Sequence, residues 1–237
     1  MPKRISFLLL FVCLGPIYLS AQKQRPCAGT NFLAGRTFFS NPYRIGLFAV
    51  RPAFSYSSGL NYQGGISKNT GLMLGIWYTK QIYNGFTPTP TNAYGEEVRT
   101  LEHFIEVPLL LTFQSDFNKV SFFGQAGITV SFLTAKRIRS SDTLSGFNYR
   151  LAPAEVKASG ENTMFGFLFV AAGASYNFNE TWKLSLTPTF RYNFVPVSEG
   201  SKSFEHITGL NLSLWYTFPI VVREEEEEIQ RKKENLE

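Results

Sequence analysis

Cysteine is nearly absent from this chain: two residues in 237, Cys13 and Cys27. Cys13 lies in an apolar run near the N-terminus that reads as a cleaved leader, so Cys27 is left without an internal disulfide partner. Gln24-Arg25-Pro26 does not supply the small apolar residues that precede a lipid-anchored cysteine. Histidine is as scarce, with His103 and His206 alone, so a metal centre or a catalytic triad has little to draw on. No stretch stays apolar for the roughly 20 residues that a membrane-crossing helix needs. Basic residues form no cluster with interleaved aromatics, which excludes a nucleic-acid reading.

Aromatic residues, in contrast, are plentiful at 16%, yet mean hydropathy is −0.07. That pairing suits a β-barrel in lipid, whose apolar outer face and polar inner face cancel in any hydropathy window. The net charge of +5 fits loops that face anionic lipid headgroups. Lys3 and Arg4, the apolar run Ile5–Leu14 and the small residues Ser20-Ala21 read as a secretory signal. The expected organisation is a signal peptide over 1–21, a periplasmic segment over 22–43, a barrel over 44–218 and a charged periplasmic tail over 219–237. The tail carries Glu224–Glu228 and then Arg231-Lys232-Lys233, with spacings of three and four that would support a solvated helix or a docking peptide.

Period-two patterning gives eight expected strands, near 44–56, 58–67, 71–84, 97–114, 119–134, 162–178, 181–194 and 204–218. The last two are the cleanest. Leu184, Leu186, Phe190, Leu212 and Leu214 share an apolar face, and Ser185, Thr187, Thr189, Asn211 and Ser213 share a polar one. In a lipid-embedded barrel the apolar face points out; in a secreted lipocalin-like binder it points in. The connections at 67–70, 115–118 and 179–180 are short, whereas 85–96, 135–161 and 195–203 are longer. The first connection, near Ser57, is short where this alternation requires a long one. Alternating loop lengths predict an all-β, eight-stranded antiparallel up-and-down transmembrane β-barrel, with short turns in the periplasm and long loops outside. Two aromatic girdles are expected. Phe113, Phe122, Tyr176, Phe178, Trp182, Tyr216 and Phe218 would form the turn-side one. Tyr56, Tyr83, Phe86, Tyr192, Phe194 and Phe204 would form the external one.

Ile105-Glu106-Val107-Pro108-Leu109-Leu110-Leu111 resembles a strand of the Bacteroidetes-type outer-membrane β-barrel family, porin-like and PorT-like proteins included. Phe123-Gly124-Gln125-Ala126-Gly127 is similar to the strand that follows it there. The resemblance spans about 44–218 and implies fold and an outer-membrane location in a Gram-negative cell. It implies no activity.

Candidate chemistry is sparse. His103 has no serine two residues on, and His206 has only Thr208, so no catalytic residue, metal ligand or cofactor site is expected. Glu102, Glu106, Lys183 and Arg191 are all expected on the inner face, where unpaired charge is costly; they are read as a lumen charge network. The expected function is therefore a non-catalytic structural or interaction barrel, acting through its external loops and periplasmic tail. A narrow porin-like channel is the alternative, ahead of a lipocalin-like binder or a lipid-modifying barrel enzyme. Lys136, Arg137, Arg139, Arg150 and Lys157 suggest contact with lipopolysaccharide as well as outer-membrane lipid. An envelope protein partner would use the tail or loops.

Overall fold

The computed structural model describes residues 25–39, 44–45, 48–67, 69–89, 92–115, 119–140, 148–158, 161–196 and 204–219. Eight long strands make a closed antiparallel barrel. They are β1 (Cys27–Phe39), β3 (Phe48–Gly65), β4 (Thr70–Thr89), β5 (Asn92–Gln114), β6 (Val120–Ser140), β8 (Met164–Asn177), β9 (Trp182–Asn193) and β10 (Glu205–Thr217). Each pairs with its neighbour in sequence, and β1 closes the ring between β3 and β10. Two short strands, β2 (Arg44–Ile45) and β7 (Asn148–Leu151), extend β3 and β6. A short helix, α1 (Pro153–Ala158), follows β7.

The count of eight agrees with the period-two reading, but two boundaries are corrected. The barrel begins at Cys27, inside the stretch expected as a periplasmic segment. The strands expected at 44–56 and 58–67 are one strand, β3, and Ser57 lies within it, paired with Leu33 and Thr79. The anomalous short connection near Ser57 thus disappears. The segments 85–96 and 135–161 are also less loop-like than expected. The β4–β5 hairpin stays paired up to Thr89 and Asn92, and β6 runs on to Ser140. The signal segment and the tail beyond 219 lie outside the described residues.

Both barrel termini, Cys27 and Thr217, pair with each other at the end that also carries the turns near 66–69, 115–119 and 178–181. At the last of these, the Asn179 side-chain oxygen accepts from the backbone N–H groups of Thr181 (2.9 Å) and Trp182 (2.7 Å). That arrangement closes a tight hairpin without glycine.

Prolines mark where the ladders thin. Pairing of β4 with β5 skips the positions opposite Pro108, and pairing of β8 with β9 skips those opposite Pro188. Proline has no N–H to give. A bulge in β6 at Thr134, between the pairs Phe104–Leu133 and His103–Ala135, reverses which residues face inward beyond it.

The faces follow alternation. Leu186 (49% exposed), Phe190, Leu212 and Leu214 point out, and Ser185, Thr187, Thr189, Asn211 and Ser213 are buried inside. Exposed aliphatic and phenylalanine side chains recur on the strands around the ring, from Phe32 and Leu60 to Val170 and Leu210. A soluble protein would hide this surface, and the polar lumen could not have been buried otherwise.

Candidate functional site

The lumen is filled in layers. Nearest the turns lies an apolar cluster of Cys27, Met73, Trp77, Leu110, Phe169, Ala171 and Trp215. Each lumen tryptophan sits opposite a glycine: Trp77 pairs with Gly59 and Trp215 with Gly29. A Cβ on Gly59 would stand 2.5 Å from Trp77 Cδ1, and one on Gly29 would stand 2.9 Å from Trp215 Cδ2. The missing side chains are what admit two indoles into so narrow a barrel. Both indole N–H groups are satisfied. Trp77 Nε1 donates to Asn61 Oδ1 (2.6 Å), and Trp215 Nε1 donates to Ser185 Oγ (3.0 Å).

Above this cluster comes charge. Arg191 Nη2 on β9 donates to Glu106 Oε1 on β5 at 2.6 Å, and both side chains are fully buried. Ser131 Oγ donates to the same carboxylate oxygen at 2.9 Å. The guanidinium lies 4.6 Å from the centroid of the Phe167 ring. Such a pair repays its desolvation only through close geometry and extra hydrogen bonds; this one has a serine donor and an aromatic face, while Glu106 Oε2, Arg191 Nε and Arg191 Nη1 have no hydrogen-bond partner among the described residues.

A second set lies further toward the loops. Lys136 Nζ is bound by Glu102 (3.1 Å) and by Glu161. The Tyr83 hydroxyl lies within hydrogen-bond reach of Gln81 and, at 3.1 Å, of Glu205. Phe104, Leu133, Phe165, Phe167 and Ile207 pack around them, and Val156 of α1 closes the cluster from the loop side.

Three of the four residues expected in the network therefore hold lumen ion pairs, in two sets rather than one. Glu106 and Arg191 meet, and Glu102 takes Lys136. Lys183 joins neither. It lies at the turn end, its ammonium 5.7 Å from the centroid of the Trp215 ring. Eight residues of strand, about 26 Å, separate it from Arg191. Lys136 and Glu161 both fall in the stretch 135–161 expected as an external connection; Lys136, expected there as a lipopolysaccharide contact, is instead on β6 and buried in the lumen, turned inward by the Thr134 bulge. Tyr83, expected in the external girdle, points into the lumen; Tyr192 and Phe204 do stack outside, at 6.1 Å. The side chain of Phe86 lies outside the described residues. The turn-side girdle holds: Trp182 and Tyr216 meet at 5.2 Å, Tyr176 and Phe178 at 5.4 Å.

The outer surface just above the apolar band is cationic. Tyr78, Ile105 and Phe132 form the last wholly apolar row across β4, β5 and β6. The next outward rows bring Lys80 beside His103, Arg137 beside Arg150, and Arg99 beside Arg139. Directly opposed like charges destabilise a sheet, and among the described residues none of these five cations is paired with a carboxylate. His103, whose Nδ1 is hydrogen-bonded to the Tyr78 hydroxyl, registers the field. Lys80, Arg137 and Arg150 all act on its imidazole. Beside the ridge runs an outer groove of about 540 Å³ with Ala34, Phe54 and Ile82 as its apolar lining and Arg36 and Arg99 as its cations.

An apolar outer band, two aromatic girdles and a polar closed lumen have one setting. This is an outer-membrane β-barrel. Solved structures similar to it include Ail, the attachment invasion locus protein of Yersinia pestis, in complex with the heparin analogue sucrose octasulfate (11% identity, TM-score 0.41, 82% of this chain and 100% of that one). Others are OprG from Pseudomonas aeruginosa (12%, 0.43, 84% and 99%) and the outer membrane protease OmpT from Escherichia coli (11%, 0.47, 84% and 98%). Likeness at this level carries no inference about activity, and the membrane setting rests on the barrel's own outer face. No protein-family model matches the chain, and no curated protein matches it.

Proposed function

We propose that the protein is a non-catalytic interaction barrel of the outer membrane, sealed through its lumen and presenting its loop-end extensions to anionic glycolipid outside. The observation that carries this reading is the lumen filling: an apolar cluster, the buried Arg191–Glu106 pair and the α1-capped cluster lie in series along the axis. Neither histidine supports catalysis. His103 and His206 lie on the outer face, and His206 stacks on Phe38 at 5.8 Å. The cationic ridge and the adjoining groove stand where outer-leaflet phosphates meet acyl chains, which favours a phosphorylated glycolipid such as lipopolysaccharide. In this orientation the short turns face the periplasm. A second protein bound through the loops or tail belongs to the same proposal. So does kinship with the Bacteroidetes-type, PorT-like barrels, supported by the 105–111 strand, in which Glu106 supplies the buried carboxylate.

Planar-bilayer recording of the purified protein tests the seal. The expected result is no reproducible single-channel step. Regular steps would overturn it in favour of the narrow channel. Co-purified lipopolysaccharide, lost on combined Arg99→Gln, Arg137→Gln and Arg139→Gln substitution, tests the ridge. Undiminished retention would remove it from the function.

A further inference from the structure

At the turn end the lumen opens into a vestibule of about 410 Å³, lined by Arg25, Cys27, Gln63, Lys119, Lys183 and Trp182 among others. Toward the lumen it narrows to a gap of about 10 Å³ between Gln125, Ser185 and Trp215. A solute can enter from this side and stop. We propose that the vestibule is a carboxylate-binding site, with the Lys183 ammonium as the receiving group.

Among the described residues, three cations line the space, Arg25, Lys119 and Lys183, against one acid, Glu180. Glu180 is already engaged by Arg25 at 3.5 Å and is 89% exposed. Among the described residues, the other two inward-facing cations of the lumen, Lys136 and Arg191, are each held by a carboxylate. Lys183 is partly buried, yet among the described residues it has no carboxylate within pairing distance; its neighbours are the Trp215 ring and the Cys27 thiol. An ammonium in a narrow, poorly solvated mouth is worth most to an arriving anion.

The sequence supplies a carboxylate source close by. Thr217 lines the vestibule, and the Phe218 N–H donates to Pro26 O at 3.0 Å on its rim. Six residues further along the chain begins Glu224–Glu228. Six residues can span about 20 Å, and a tether that short gives an effective concentration on the order of millimolar. A separate acidic peptide would offer the same chemistry without the tether.

The test uses the full-length barrel in neutral detergent, with heat-modified gel mobility confirming each variant's fold. Carbodiimide coupling followed by peptide mass mapping is expected to join Lys183 to a glutamate of 224–228, which names the chain's own run as the source. In a second arm those five glutamates are replaced by glutamine and a pentaglutamate peptide is titrated in, with tryptophan emission as the readout. Saturable binding is expected, weakened at least about tenfold by Lys183→Gln and largely kept by Lys183→Arg. Coupling seen only with added peptide keeps the site and assigns it to an external acidic segment. Absence of Lys183 coupling in both arms, or peptide binding indifferent to Lys183→Gln, overturns the proposal.

Discussion

Arg191 and Glu106 lie 85 residues apart in sequence and meet at 2.6 Å in the centre of the lumen, both completely buried. Removing one partner leaves the other charged, buried and alone. Arg191→Ala is therefore expected to lower stability by about 3–5 kcal/mol, whereas a paired Arg191→Met/Glu106→Leu replacement should recover most of that loss. Urea unfolding in lipid micelles, followed by tryptophan emission, gives both values. If the double replacement is as unstable as Arg191→Ala, the pair is not the cause.

The tryptophan–glycine oppositions make a second prediction. A Gly59→Val side chain would enter the space of Trp77 and press on Ile76 O, which a Cβ would approach to 2.3 Å. Overpacking of this kind costs about 1–3 kcal/mol. Gly59→Val should lower the unfolding midpoint and move the emission of the buried indole. Adding Trp77→Ala to it should cost less than the two changes separately, because the collision is gone. Strict additivity would show that Gly59 matters for some other reason.

Facing was legible in the sequence wherever the strand kept its period, and height along the barrel was not. Leu186, Thr187, Leu212 and Ser213 were assignable because nothing interrupts β9 or β10. β1 escaped because its outward positions include Thr30 and Arg36 while Leu33 points in, so apolar residues do not mark one face. Lys136 escaped because the polar stretch after Thr134 reads as a loop, although β6 runs on to Ser140 and the unpaired Thr134 turns Lys136 inward. Lys183 was placed on the correct face, yet a period of two says nothing about which of two inward charges share a layer. That needs the register of β9 against the rest of the ring. The resemblance over 105–111 pointed to the strand that carries Glu106 but not to its partner, which comes from a distant strand.

His103 offers a pH handle on the cationic ridge. In a His206→Asn background, proton NMR of the single remaining imidazole in neutral micelles gives its pKa. Adding a phosphorylated glycolipid should raise it, because the phosphate offsets Lys80, Arg137 and Arg150. No movement on lipid addition would mean that the ridge and the phosphate do not meet.

Orientation can be settled by labelling described, exposed positions in a Cys27→Ser background. Glu180→Cys marks a short turn, and Asn148→Cys marks the β7 extension at the opposite end. On intact cells an impermeant thiol reagent is expected to reach Asn148→Cys and not Glu180→Cys. The reverse would place the turns outside and turn the cationic ridge toward the periplasm. The same cells can report the inside-out pattern: Leu186→Arg, on the outward face of β9, should insert poorly, at a cost of about 2–4 kcal/mol if it lies near the midplane. Its neighbour Thr187→Val changes only the lumen side and should insert normally. Equal insertion of the two variants would mean that Leu186 does not face lipid, and the membrane setting of the barrel would fall with it.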